Sequence, residues 1–348
     1  MSESFSLPQV PKDNAFNFLR LLCCLVVIYE HSVILSGISL PCLNLRGSAV
    51  NVFFILSGFW VTLSYLKSSS VKEYALKRCR KIFPQYWTVV VLSGALLSSF
   101  SVLELKEYFS NSGLYKYLIA NILTLNFVHP SLPGIFEGMA LGGSVNGSLW
   151  TIKVELGFYI VLPVLIWILS KISHRNFAGG GKCIVIILIL YLLSVLYEVL
   201  MPQICKTLRL PSPLENQFPA YFSYFASGMI FALFGRKLFT KLNLLVVPCA
   251  AAFIILNIFK IPFVSSFANP FCLSVCVMFL GLNLKIFADV NRKPDYSYGL
   301  YLVHYPLVMI FTFLGVFAGH PFFAVFAVLG TSFLCAYLLE RVFDGGKK

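Results

Sequence analysis

Charge is what this sequence has least of. Asp, Glu, Lys and Arg together make up 12% of its 348 residues, only 14 residues are acidic, and no block is long and polar enough to form a separate soluble domain. That scarcity excludes an ordinary water-soluble enzyme, whose domains carry about 25% charged residues. Internal repeats are also lacking, which disfavours transporters built from inverted halves. Metal-ligand spacing is lacking too: the ten cysteines fall mainly in apolar runs (Cys23, Cys24, Cys183, Cys249, Cys272, Cys276, Cys335) and read as small core residues, so no metal is expected. Cys42 and Cys205 would both face outward in the topology below, and a bridge between them stays open. A cleaved leader is not expected. The polar "MSESFSLPQVPKDNAFNF" leads into an apolar run too long for a signal-peptide core and without a small-x-small cleavage site, so the first helix is read as retained.

What is present is hydrophobic: 58% of the residues, with a mean hydropathy of +0.83. The fold class is therefore all-α, a polytopic integral membrane protein with about ten transmembrane helices in one domain, 1–348. Spans of about 20 apolar residues are expected near 16–37, 48–66, 84–103, 148–170, 183–201, 218–236, 243–259, 266–286, 296–318 and 321–343. The net charge of +13 is scattered between these runs rather than gathered on a soluble face, so no nucleic acid is expected as a partner. Basic residues instead mark alternate connections: "KSSSVKEYALKRCRK", "KISHR" with Lys182, "GRKLFTK" and "NRK". The 129–147 stretch and the final "AGHP" turn carry no Lys or Arg, so both termini are placed in the cytoplasm; "CKTLR" at 205–209 runs against the pattern. The 104–147 connection then faces outward, with a short re-entrant or surface helix in "LYKYLIANILTLNF".

Against this background three polar groups stand out. In "RLLCCLVVIYEH", Arg20 and His31 are eleven residues apart, about three turns and roughly 16 Å, so they share one helix face. Either Arg20 snorkels to the interface and His31 is a satisfied interior histidine, or both serve function, as intramembrane ionisable groups do by default. In "GSLWTIKVELGFYIVLP", Ser148, Thr151, Glu155 and Tyr159 form a polar stripe on an apolar helix. Helix arithmetic puts Glu155 and His31 at similar depth, where a carboxylate would orient an imidazole acting as general base; a structural pairing of Glu155 with Lys153 or an arginine is the alternative. The third group is 67–83. Ser70 with Glu73 forms a capping box, an apolar stripe runs through Val71, Ala75, Leu76 and Ile82, and Pro84 opens the next span, giving a cytoplasmic amphipathic helix. Its Arg78, Arg80 and Lys81 suit either lipid headgroups or a phosphorylated substrate.

Taken together, these stretches resemble the membrane acyltransferase 3 family. "NFLRLLCCLVVIYEH" is similar to its Arg-x10-His signature, "NVFFILSGFW" to its Phe-Phe-x-x-Ser-Gly-Phe stretch and "RCRKIFP" to its Arg-x-x-Arg-Ile-x-Pro element. "SLWTIKVELGFY", "YSYGLYLVHYPL" and "YLLERVF" follow in the family's order, while Lys81 and Asn51 stand where arginine and aspartate are usual. The resemblance implies acyl-CoA, commonly acetyl-CoA, as cytosolic donor and a saccharide or lipid-linked saccharide acceptor in the bacterial inner membrane. The residues then read as His31 the base, Glu155 orienting its imidazole and Arg20 steadying CoA lower in the groove, with direct transfer and a transient acyl-histidine both open. Arg78, Arg80, Lys81 and His304 are expected on the donor, His304 lying in the inner half of the membrane, and Ser148, Trp150 and Tyr159 on the acceptor. Some relatives carry an outward esterase-like domain; this chain is read as a stand-alone enzyme. A transporter or flippase for a lipid-linked saccharide is the rival class, and a purely structural subunit a third.

Overall fold

The computed structural model describes residues 7–139, 143–173, 181–259 and 261–343. Both chain termini and the Arg175 end of "KISHR", used above for orientation, lie outside the described residues. The chain is all-α. Its helices are α1 (Phe16–Ser36), α2 (Arg46–Leu66), α3 (Val71–Leu96), α4 (Leu105–Ser110), α5 (Ser112–Ile122), α6 (Trp150–Ile172) and α7 (Gly181–Leu208). Then come α8 (Phe218–Phe239), α9 (Leu242–Phe259), α10 (Pro262–Asn283), α11 (Ala288–Asn291), α12 (Ser297–Phe313), α13 (Val316–Gly319) and α14 (Pro321–Phe343). Among the described residues nine helices are long and apolar enough to cross a membrane, and α12 is a shorter apolar helix. Large side chains such as Ile160, Val164 and Trp167 lie exposed on α6, as a face turned to lipid requires.

Two expectations are corrected. The 67–83 helix and the span after it are one helix, because Pro84 lies inside α3 rather than at the start of a new element. Proline withholds one amide and crowds the carbonyl four residues back, but a membrane helix tolerates this where neighbours satisfy the freed groups. The freed carbonyl is that of Arg80, and beside it the helix is tied to its surroundings: Thr88 Oγ1 donates to the Pro84 carbonyl at 2.8 Å and the Tyr298 hydroxyl of α12 to that of Ile82 at 3.1 Å. The 296–318 span is shorter than expected, since Gly315, at φ 68°, ends the helical run after Phe313. The capping box at the start of α3 forms: Glu73 N–H donates to Ser70 Oγ at 3.2 Å, and the Glu73 carboxylate accepts from Ser69 N–H at 2.7 Å. All ten cysteines, Cys42 and Cys205 included, are free thiols.

The chain divides into two compact units interleaved in sequence: 1–20, 50–76 and 154–293 form one, and 21–49, 77–153 and 294–348 the other. In the first unit an aromatic core joins α2, α6 and α8, with Phe158 stacked on Phe225 at 4.6 Å and edge-on to Phe54 at 5.5 Å. There α2 and α8 touch backbone to backbone. A methyl group at Gly58 would overlap the Phe225 carbonyl, and one at Gly228 would overlap that of Ile55. Only glycine permits so close a crossing, the usual device of helix pairs in membranes. In the second unit α12 packs on α14 at Gly299, where an added Cβ would come within 3.1 Å of Ala336. Two tyrosine hydroxyls tie the 104–147 segment to α3: Tyr108 donates to the Gly94 carbonyl at 2.8 Å and Tyr86 to that of Asn121 at 2.6 Å.

Candidate active site

The site lies in the second unit and is built from α1, the start of α2, the 143–151 segment and α12. Cys24 Sγ on α1 contacts the carbonyl of Ser297, the first residue of α12, at 3.3 Å. Counting seven residues onward along each helix arrives at His31 and His304. These two rings stack at a centroid distance of 5.1 Å, with His31 Nδ1 2.8 Å from His304 Nε2. The helices are thus parallel and in register, and the inner-half placement of His304 is corrected. The reason is that α12 begins beside the ninth residue of α1, about 12 Å along its axis, rather than level with its start.

Hydrogen-bond bookkeeping assigns the protons of the neutral pair. His304 is fully buried, and its Nδ1 lies 3.2 Å from the Leu300 carbonyl, an acceptor only, so Nδ1 carries the hydrogen. His304 Nε2 is then the acceptor, His31 Nδ1 the donor, and His31 Nε2 is left unprotonated with its lone pair available.

The glutamate of the same stretch has a separate task. Glu30 is 2% exposed, and its carboxylate accepts from the backbone N–H groups of Leu45 at 2.6 Å and Arg46 at 2.8 Å. It therefore caps the N-terminus of α2, where unpaired amides and the helix dipole favour an anion. That contact holds the first residue of α2, Arg46, against Glu30, next to His31 on α1. Tyr305 stands edge-on to His31 at 5.3 Å. Its hydroxyl is buried and has no hydrogen-bond partner among the described residues. Gly147 makes room for it, since a Cβ there would stand 2.8 Å from the Tyr305 hydroxyl.

Ser148 is tied into this frame. Its hydroxyl donates to Asn146 Oδ1 at 2.6 Å, Asn146 Nδ2 donates to the Leu302 carbonyl at 2.8 Å, and Thr151 Oγ1 lies 3.0 Å from the Tyr301 hydroxyl. The polar stripe thus begins by anchoring α6 to α12. Trp150 opens α6. Glu155 and Tyr159 follow on α6 within the first unit, where the Tyr159 carbonyl accepts from the Tyr74 hydroxyl at 3.2 Å. Arg20, also in the first unit, donates to Asn17 Oδ1 at 2.9 Å. On α3, Arg78 is half-buried while Arg80 and Lys81 are exposed. Helical spacing puts Arg78 and Lys81 on one face and turns Arg80 about 200° from Arg78.

Sequence reasoning missed Tyr305, Arg46 and Asn146 and gave Glu30 no role. Only adjacency to the two histidines, in "YEH" and "HYP", and the Asn-Gly turn at 146–147 could have signalled them.

The chain is similar to known acyltransferases. Residues 13–341 match the acyltransferase domain family Acyl_transf_3. Similar proteins include an O-acetyl transferase of Shigella phage Sf6, 28% identical over 188 residues, which are 52% of this chain and 51% of the relative. Nodulation protein 10 of Rhizobium leguminosarum bv. viciae is 32% identical over 163 residues, 44% of each chain. Acyltransferase MdmB of Streptomyces mycarofaciens is 27% identical over 133 residues, 38% of this chain and 32% of the relative. The chain thus spans about half or less of the length of the curated relatives it matches. No solved structure matches significantly. With the family model running through nearly every described element and over His31, Gly147, His304 and Tyr305 alike, the chain belongs to the Acyl_transf_3 family of acyltransferases.

Proposed function

We propose that this protein is an O-acyltransferase of the bacterial inner membrane that moves an acetyl group from acetyl-CoA to a sugar hydroxyl of a cell-surface polysaccharide or its lipid-linked precursor. The observation that carries the reading is the Leu300–His304–His31 chain, which leaves His31 Nε2 as a base fixed in one tautomer. In the proposed reaction His31 Nε2 takes the proton of the attacking hydroxyl as its oxygen bonds to the thioester carbonyl carbon. His304 Nε2 accepts from the imidazolium that forms. Tyr305 donates its free hydroxyl to the developing oxyanion. The C–S bond then breaks, and the CoA sulfur leaves with the proton held on His31. His304 therefore takes the orienting role that a carboxylate had been expected to fill. Glu155 and Arg20 are kept as contributors from the first unit, Trp150 and Tyr159 on the acceptor side, and Arg78, Lys81 and, less directly, Arg80 on the CoA phosphates. The phage relative's name, O-acetyl transferase, supports the acyl group and the reaction class.

Radiolabelled acetyl-CoA supplied to membranes containing the protein, with label chased into polysaccharide, tests the reading. Transfer that requires His31 is the expected result. Transport of a lipid-linked saccharide without label transfer would replace it with the flippase reading. Thiol labelling of introduced cysteines from outside should reach 129–139 and spare Lys72 to Lys81; the opposite pattern would reverse the proposed orientation, with both termini in the cytoplasm.

A further inference from the structure

We propose that the first unit carries a saccharide-binding pocket centred on Glu198, distinct from the histidine pair. A cavity of about 440 Å³ opens between α7, α9 and α10, lined by Glu198, Gln203, Asn257, Ser265, Ser266 and two aliphatic side chains. Ser266 lines the cavity beside Glu198, and Oε2 of the Glu198 carboxyl is buried with no hydrogen-bond partner among the described residues. Leaving a carboxylate oxygen desolvated and unpaired inside a membrane protein is costly, so such a group marks a place where a ligand supplies the missing donor.

The chemistry of the lining selects that ligand. Asn257 commits its amide N–H to the Phe253 carbonyl at 2.7 Å, and the Ser265 hydroxyl donates to the Leu256 carbonyl at 3.1 Å. Both side chains therefore offer the cavity an acceptor oxygen, as Glu198 does, and the Gln203 amide and the second Asn257 N–H add donors that a hydroxyl oxygen can meet. A ligand rich in hydroxyl donors fits this set, with a vicinal diol able to satisfy the carboxylate. No Lys or Arg lines the cavity, so the phosphates of CoA are repelled rather than held. Among the described residues no three His, Cys, Asp or Glu side chains cluster, so a divalent metal lacks its usual ligands. The volume lies within the range of about 300–1,000 Å³ typical of small-ligand sites. Glu198 is 17 residues beyond Gly181, the first residue of α7, or about 26 Å along it. In the proposed orientation that is near the outer edge of the membrane, the side from which a surface saccharide arrives. The O-acyltransfer reading gives the pocket its purpose, as the acceptor's recognition site, while its sugar-binding chemistry stands without it.

The test uses purified full-length protein in lipid nanodiscs and saturation-transfer NMR with methyl glycosides of glucose, galactose, mannose, rhamnose and N-acetylglucosamine. At least one glycoside should show transfer to the wild type. Glu198→Ala and Asn257→Leu should each weaken its Kd, the former by about tenfold or more, as loss of a hydrogen bond to a charged acceptor does. Glu198→Gln, which keeps the side chain's shape and replaces only the carboxyl, should weaken binding without lowering Tm, whereas a merely structural carboxyl would lower it. Should Glu198→Ala fail to insert, the other two variants decide. No wild-type signal with any of the five, binding indifferent to all three substitutions, or sodium binding lost with Glu198 in place of sugar binding would overturn the proposal. Acetyl-CoA binding measured on the same samples keeps the two readings apart: glycoside binding without donor binding sinks the acyltransfer reading alone, and the reverse sinks the pocket alone.

Discussion

Replacing Gly58 or Gly228 by alanine tests how the first unit is held together. A methyl group at Gly58 would overlap the Phe225 carbonyl oxygen and stand 2.9 Å from its carbon, and one at Gly228 would stand 2.9 Å from the carbon of Ile55. Carbon atoms in contact prefer about 3.5–4.0 Å, so α2 and α8 must part by roughly 0.6–1 Å, a gap that forfeits a quarter to a half of the attraction between the facing atoms. Phe54, Phe59 and Phe225 flank the crossing at 1% exposure or less, so the loss falls on a closed core. Overpacking of this kind costs about 1–3 kcal/mol, against which alanine's helical preference over glycine returns about 0.5–1 kcal/mol. A net loss of about 1–2 kcal/mol is expected for each variant. The double variant should lose less than the sum, because helices already parted by one methyl accept the second more cheaply. Gly47, on the same helix with nothing within 4 Å of an added Cβ, is the control and should be unchanged or slightly stabilised as alanine. Reversible unfolding in mixed detergent micelles, followed by circular dichroism, measures all four. Equal stability of the Gly58 and Gly47 variants, or strict additivity in the double, would refute the backbone contact as the cause.

Four further outcomes are expected. His31→Ala should lower kcat by about 10²–10⁴-fold with Tm unchanged, and His304→Ala should lower kcat too, since it frees the tautomer; enzyme assays on folded protein decide both. Tyr305→Phe should cost kcat about tenfold or more without loss of stability, because its hydroxyl has no protein bond to lose, and a lowered Tm with intact kcat would contradict its oxyanion role. Neutralising Arg78 and Lys81 together should raise KM for acetyl-CoA and flatten its dependence on salt, Arg80→Gln doing so less, whereas a lipid-anchoring role would lower abundance and leave KM alone. Glu30→Ala, which strands two amides at the start of α2, should destabilise the protein by about 1–3 kcal/mol in the same unfolding assay.

The membrane class and most of the spans were legible in the sequence, and His31 stood out in it, because each rests on one-dimensional rules: run length, helical period, and the rarity of ionisable groups in lipid. The partner of His31 was not. Depth was judged on the premise that each span begins at the membrane surface, and α12 begins instead beside Cys24, so the ring that meets His31 is His304. Pro84 misled for a related reason. Its local penalty is a sequence property, whereas the packing of the helix around it, such as the Tyr298 hydroxyl on the nearby Ile82 carbonyl, is a tertiary one. Glu30 was visible yet unassignable, since its ligands are backbone amides of the 37–46 turn and backbone carries no sequence signature. The Ser-Gly-Phe stretch carries a backbone crossing at Gly58, a contact with α8 that its own residues do not announce.

The interleaving of the two units has a consequence for biosynthesis. His31 and His304 are separated by 273 residues of chain. At synthesis rates of about 5–20 residues per second, the first histidine waits on the order of tens of seconds in the bilayer before its partner leaves the ribosome. The helices α2 to α11 are all made in that interval. Until then no lone pair is oriented for proton transfer. On the proposed mechanism a nascent or truncated chain would lack activity, and loss of the last two apolar helices would remove His304 while leaving His31 in place.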